Sequence, residues 1–289
     1  MFLLIALRLG KGWTNIMDEL NKYRIVNRYR IIIVFVFLSG LFISWFLKSG
    51  MYEYTIGFDK NASDIVGRAE EVQNSLINQV LNLFNYVTSA GDFISFVLPV
   101  LASALVILFI KEKSGLFFFK YVRNVSYRKN IISNILIQSS YSGITFFMAY
   151  FCFFIVGIIL CKTAPEVNVE AFDLAFGQGF SIGELAWIGY LIEGVIKCFI
   201  FPFIYTFFAC SLSLICKKTY QCIIIPTIYY FFLTIIISIG LGHVDWSPAY
   251  PIVSLTVAGT IIQSVIPLVF PLILSIGLIL YSYAEGNKL

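Results

Sequence analysis

Three groups of residues in this chain could do chemistry. Glu193 and Lys197 stand four apart, an acid one helical turn before a base, which is the favourable pairing order on a helix. They follow an apolar stretch, and charges at membrane depth are costly and usually functional. With the neighbouring span starting at residue 198, they read as a pair at the outer interface or beside a pathway. His243, the single histidine, lies two residues before Asp245; the two could hold a proton or contribute to a metal site, but no third ligand accompanies them. The third group is the segment 111–130, KEKSGLFFFKYVRNVSYRKN, with six basic residues and one acidic residue around an apolar, aromatic centre. Residues 115–122 fit a short amphipathic helix in which Leu116, Phe118, Phe119 and Val122 share one face. Held just under a membrane, that face is available to a partner, and the flanking basic residues to phosphates.

Other chemistry is missing. Gly10-Lys11-Gly12 lacks the spacing and the Ser/Thr of a nucleotide-binding phosphate loop, and neither H-E-x-x-H nor a G-x-S-x-G with suitable partners occurs. The six cysteines form no C-x-x-C pair and read as small apolar packing residues. The expectation is a chain that is not an enzyme and carries no cofactor or metal of its own.

The elements that must position these groups are membrane spans. Of the 289 residues, 59% are hydrophobic and 12% charged, with a mean hydropathy of +0.88. A soluble domain carries about 25% charged residues, and disorder needs few apolar and many charged ones, so both classes are excluded. Six runs are long and apolar enough to span a bilayer: residues 31–47, 93–110, 135–160, 198–216, 220–241 and 261–283. The expected fold is an all-α polytopic membrane helix bundle of one domain. Pro99, Pro202, Pro226, Pro267 and Pro271 fall inside runs and predict kinks.

Charge sets the orientation. With the N-terminus inside, the inside segments hold 15 of the 20 Lys and Arg residues and only four acidic ones, Asp18, Glu19, Glu112 and Glu285. The positive-inside rule then places both termini in the cytoplasm. Residues 1–30 mix apolar residues and Trp13 with Arg8, Lys11, Lys22, Arg24, Arg28 and Arg30, the pattern of a basic amphipathic helix in the cytoplasmic interface. In the outside loop 48–92, apolar residues recur at helical spacing over 64–87, predicting one amphipathic helix outside the membrane. Residues 242–260 are apolar but broken by Pro248, Pro251 and Gly259, which suits short re-entrant helices.

The order Glu112, Gly115, then Val125-Ser126 and Arg128-Lys129 resembles the loop between the second and third spans of type-2 ABC exporter permeases. The resemblance extends over the chain as a layout: an N-terminal interfacial helix, six spans, both termini inside and short helices before the last span. It implies that segment 111–134 holds a coupling helix docking into a separate ATPase, with Glu112, Gly115, Leu116, Phe118, Phe119, Val122, Ser126, Arg128 and Lys129 as the coupling residues. It further implies two copies of a cytoplasmic ABC ATPase carrying ATP and Mg, a second permease copy, and no nucleic acid partner. The aromatic spans favour a hydrophobic or amphipathic cargo, a peptide, bacteriocin or lipid-like molecule. The expected location is a bacterial cytoplasmic membrane. The alternatives are an ion-coupled secondary transporter and a membrane immunity or assembly factor.

Overall fold

The computed structural model describes residues 28–62, 65, 67–113, 127–161, 186–253 and 260–284, with the backbone alone for 127–130 and 186. Among them there is no strand. Six helices are long and apolar enough to cross a membrane: Arg28–Lys48, Leu83–Lys113, Ile131–Leu160, Trp187–Leu212, Thr219–Gly240 and Ile261–Ala284. The chain is a multi-pass membrane protein with an all-α fold. The postulated interfacial helix over 1–30 lies outside the described residues except for its last three, and those already belong to the first span.

The helices depart from the apolar runs at their ends. The second span starts at Leu83, ten residues before the apolar run, and the single amphipathic helix expected over 64–87 is divided. One piece is a separate helix, Ala69–Val80. The chain then turns at Leu81, and Asn82 caps the next helix, its Oδ1 accepting the Asn85 N–H at 2.6 Å. A side-chain acceptor at this position satisfies an N–H that the first turn leaves unpaired, so a new helix begins there. Leu83, Tyr86 and Val87 are buried in the main core; their spacing is that of a helix face, but the face turns into the bundle.

The fourth span is the axis of the bundle. In its most apolar stretch 78% is buried, against 17% for the first and fifth spans, and it packs on the second, third, fifth and sixth. Its packing on the third is close: a Cβ on Gly143 would lie 2.8 Å from the Phe199 carbonyl oxygen, so only glycine allows the two backbones this approach. Thr206 Oγ1 donates to the Ala102 carbonyl at 2.8 Å and shares a hydrogen bond with Ser142 Oγ at 2.7 Å, joining the second, third and fourth spans. The first span packs through Phe37, whose ring meets Phe93 of the second and Phe146 of the third.

The fourth span is not uniformly α-helical. Residues Ile196–Ile200 form a π turn, closed by the Phe201 N–H bonding back five residues to the Ile196 carbonyl. Pro202 follows at once. Its ring has no N–H for the Cys198 carbonyl and crowds it, and widening the preceding turn by one residue relieves that conflict. A second π turn, Ile235–Gly240, ends the fifth span, where Gly242 (φ 71°) reverses the chain. A 3-10 turn, Val244–Trp246, and a short helix, Tyr250–Val253, follow.

Candidate functional site

Two polar constellations are built into this apolar frame. The first is Glu193–Lys197. One turn apart on the fourth span, the Lys197 ammonium and the Glu193 carboxylate form an ion pair, with side chains 7% and 5% exposed. The sequence reading placed the pair at the outer interface, beyond a span starting at residue 198. The helix instead already runs at Trp187, so Glu193 lies at least six residues inside it, about 9 Å along the axis. The charges do not end the helix because they pair with each other and are buried. Tyr150 of the third span packs against Gly194, where a Cβ would come 2.0 Å from Tyr150 Cε1. The Tyr150 hydroxyl donates to the Tyr190 carbonyl at 3.0 Å, tying the third span to the fourth one turn before the pair.

Burying two charges costs more than their attraction returns unless geometry is favourable, so a buried pair is weak evidence of stabilisation and a functional candidate by default. The π turn begins at Ile196, between Glu193 and Lys197, so that Lys197 lies within it and Pro202 follows it. The pair therefore sits where the axial helix has its one break in regular hydrogen bonding.

The second constellation ties together the ends of four spans around residues 111–113. Arg30 Nη2 donates to Gln138 Oε1 at 2.9 Å, and Gln138 Nε2 donates to Glu112 Oε2 at 2.7 Å. The Arg30 guanidinium lies 4.5 Å over the Tyr141 ring, and the Lys111 ammonium 4.8 Å over that of Tyr29. Lys113 Nζ donates to the Ser213 carbonyl at 3.3 Å, reaching the end of the fourth span. Of the expected coupling residues, Glu112 falls here. Gly115, Leu116, Phe118, Phe119, Val122 and Ser126 lie outside the described residues, and Arg128 and Lys129 belong to the first turn of the helix Tyr127–Leu160.

No known family model, curated protein or solved structure matches this chain. The functional reading therefore rests on its own residues. Gln138 and Arg30 were missed as site residues, although a signal was present: Gln138 opens the cluster Gln138-Ser139-Ser140 inside an apolar run. Among the described residues no group of three His, Cys, Asp or Glu side chains could hold a metal. Asp245 instead neighbours Tyr250, whose hydroxyl is raised above its ordinary value by burial first and by that carboxylate second. The cysteines are all free thiols.

Proposed function

We propose that this chain is the permease subunit of an ATP-driven exporter, moving a hydrophobic or amphipathic cargo with two copies of a separate ATPase and a second copy of itself. The observation that carries the reading is the fastening of the root of the basic loop. Glu112 and Lys113, the last residues before it, are bonded to Gln138 of the third span and to the Ser213 carbonyl of the fourth. A displacement of the loop is thereby passed to the axial helix. That helix has a π turn and Pro202 at which to bend, so a push on one end can reorient the bundle. The open apolar faces of the first and fifth spans, with Phe35, Ile43, Ile228 and Phe232 exposed, suit lipid and a second permease copy.

The loop face carries the test. Affinity capture of the tagged chain, expressed with its neighbouring genes, should retain an ATPase. Phe118→Asp should reduce the captured ATPase by at least about tenfold, the weight of one buried aromatic anchor, while the protein still inserts. Equal capture by both forms would remove the coupling assignment. The buried Glu193–Lys197 pair favours one second reading, an ion-coupled secondary transporter; transport that persists without ATP but collapses with the ion gradient would select it.

A further inference from the structure

We infer that Gln138 is a positioning residue, a two-faced amide that locks Glu112 to Arg30 and so makes the root of the loop move as one body with the first and third spans. The inference rests on the exporter reading for its purpose, but its geometry stands apart from it. An arginine offers only donors and a carboxylate only acceptors. A side chain between them must therefore accept on one side and donate on the other. Gln138 does so in one orientation only, with Oε1 toward Arg30 and Nε2 toward Glu112; a flipped amide would set donor against donor and acceptor against acceptor. The residue is 7% exposed, so water does not readily replace either bond.

The rest of the cluster makes the link rigid. Arg30 is held twice by the third span, through Gln138 and through the Tyr141 ring three residues on. Among the described residues Arg30 and Glu112 form no direct ion pair, so the amide is the connection between them. Glu112 adjoins Lys113, which grips the Ser213 carbonyl. Four helix ends thus meet in a chain whose middle member is Gln138. Both bonds of the amide are to charged groups, the stronger class of hydrogen bond, so moving Glu112 by one bond length must either break the relay or draw the third span with it.

Exchanging the two side chains tests this directly. In Gln138→Glu a carboxylate faces Glu112; adding Glu112→Gln restores a donor-to-acceptor order with the same atoms in the same space, because Arg30 and the new amide at 112 both donate to the carboxylate at 138. Gln138→Met keeps the length and removes both bonds. Hydrogen–deuterium exchange of the peptide ending at residue 113, in protein checked as monodisperse, should rise about tenfold or more in Gln138→Met and Gln138→Glu, the weight of one charge-assisted hydrogen bond. It should return to within about twofold of the wild type in the exchanged pair. Unchanged exchange in Gln138→Met, or an exchanged pair no better than Gln138→Glu, overturns the relay.

A second comparison separates the relay from the exporter reading. In the complex with its ATPase, trapping with ATP and vanadate should alter exchange at the ends of the first and third spans in the wild type, but only in the loop in Gln138→Met. Alteration spreading equally in both overturns the relay. A wild type that responds nowhere to nucleotide counts against the exporter reading, and the side-chain exchange still decides the relay.

Discussion

Glutamine in place of Glu193 removes one charge and few atoms, and its effect can be worked from burial. Lys197 would remain inside the fourth span, 7% exposed, with its ammonium facing an amide. Breaking a buried ion pair by removing one partner costs about 3–5 kcal/mol, whereas replacing both partners with apolar groups of similar volume is neutral or stabilising. The single variant should therefore lose on the order of 10 °C in apparent Tm, taking about 2–4 °C per kcal/mol for a large domain. Glu193→Gln with Lys197→Met should return close to the wild type, because the charge left behind is gone. Thermal unfolding in one mild detergent, followed by loss of the monodisperse peak, measures both. A Glu193→Gln protein within about 2 °C of wild type would mean that the pair is hydrated and not buried, and a double variant as labile as the single would mean that charge is not what the site balances. Recovery of stability in the double variant without recovery of transport would assign the charges to the transport cycle.

Other substitutions probe the frame around the two polar sites. Gly143→Ala forces a methyl to 2.8 Å from the Phe199 carbonyl and should destabilise by about 1–3 kcal/mol; Gly277→Ala, in the sixth span with nothing within 4 Å, should be neutral or stabilising by up to about 1 kcal/mol, and equal effects in the same melting assay would discredit the close helix approach. Tyr205 is fully buried, and its hydroxyl meets no hydrogen-bond partner among the described residues. Tyr205→Phe should therefore leave stability unchanged or raise it by about 1 kcal/mol, and a large loss would show that the hydroxyl has a partner. Cys161, just past the third span, has its thiol pushed up to about 11 by burial. Because the folded value is the higher, its contribution to stability is present below the ordinary thiol range and fades as the pH rises toward 11. Alkylation of a variant retaining only Cys161 should be slow at pH 8 and accelerate toward pH 11, and a midpoint at the ordinary thiol value would refute the burial.

The fold class was legible because charges punctuate the apolar runs. Lys48 ends the first span, as the residues suggested, whereas the second helix runs on through Lys111 to Lys113. What failed was the use of every charge as a terminator. Glu193 and Lys197 satisfy each other within one turn and disappear into the helix, and a pair at spacing four carries no mark of its depth. The start of the second span was hidden for a different reason: the period of apolar residues runs unbroken through residues 80–84, while the break depends on a single cap at Asn82. The loop residues Glu112, Lys111 and Lys113 stood out by charge. Gln138, the partner of Glu112, did not, because an uncharged amide becomes important only when the topology brings an arginine and a carboxylate to its two sides. The π turn was written in Pro202, which the sequence marked as a kink, though the form of its relief, a wider turn before the proline, was not.

The exporter reading stands most directly on the composition of the assembled complex. The tagged chain, produced with its neighbouring genes and purified in mild detergent, would be weighed intact by native mass spectrometry and assayed for vanadate-sensitive ATP hydrolysis. The account predicts two copies of the 32.7 kDa chain with two copies of an ATPase, and turnover that vanadate stops. A chain that leaves the column without an ATPase in stoichiometric amount, or a complex with no ATP turnover, would contradict it and move the buried Glu193–Lys197 pair, as the core of an ion-coupled transporter, to the centre.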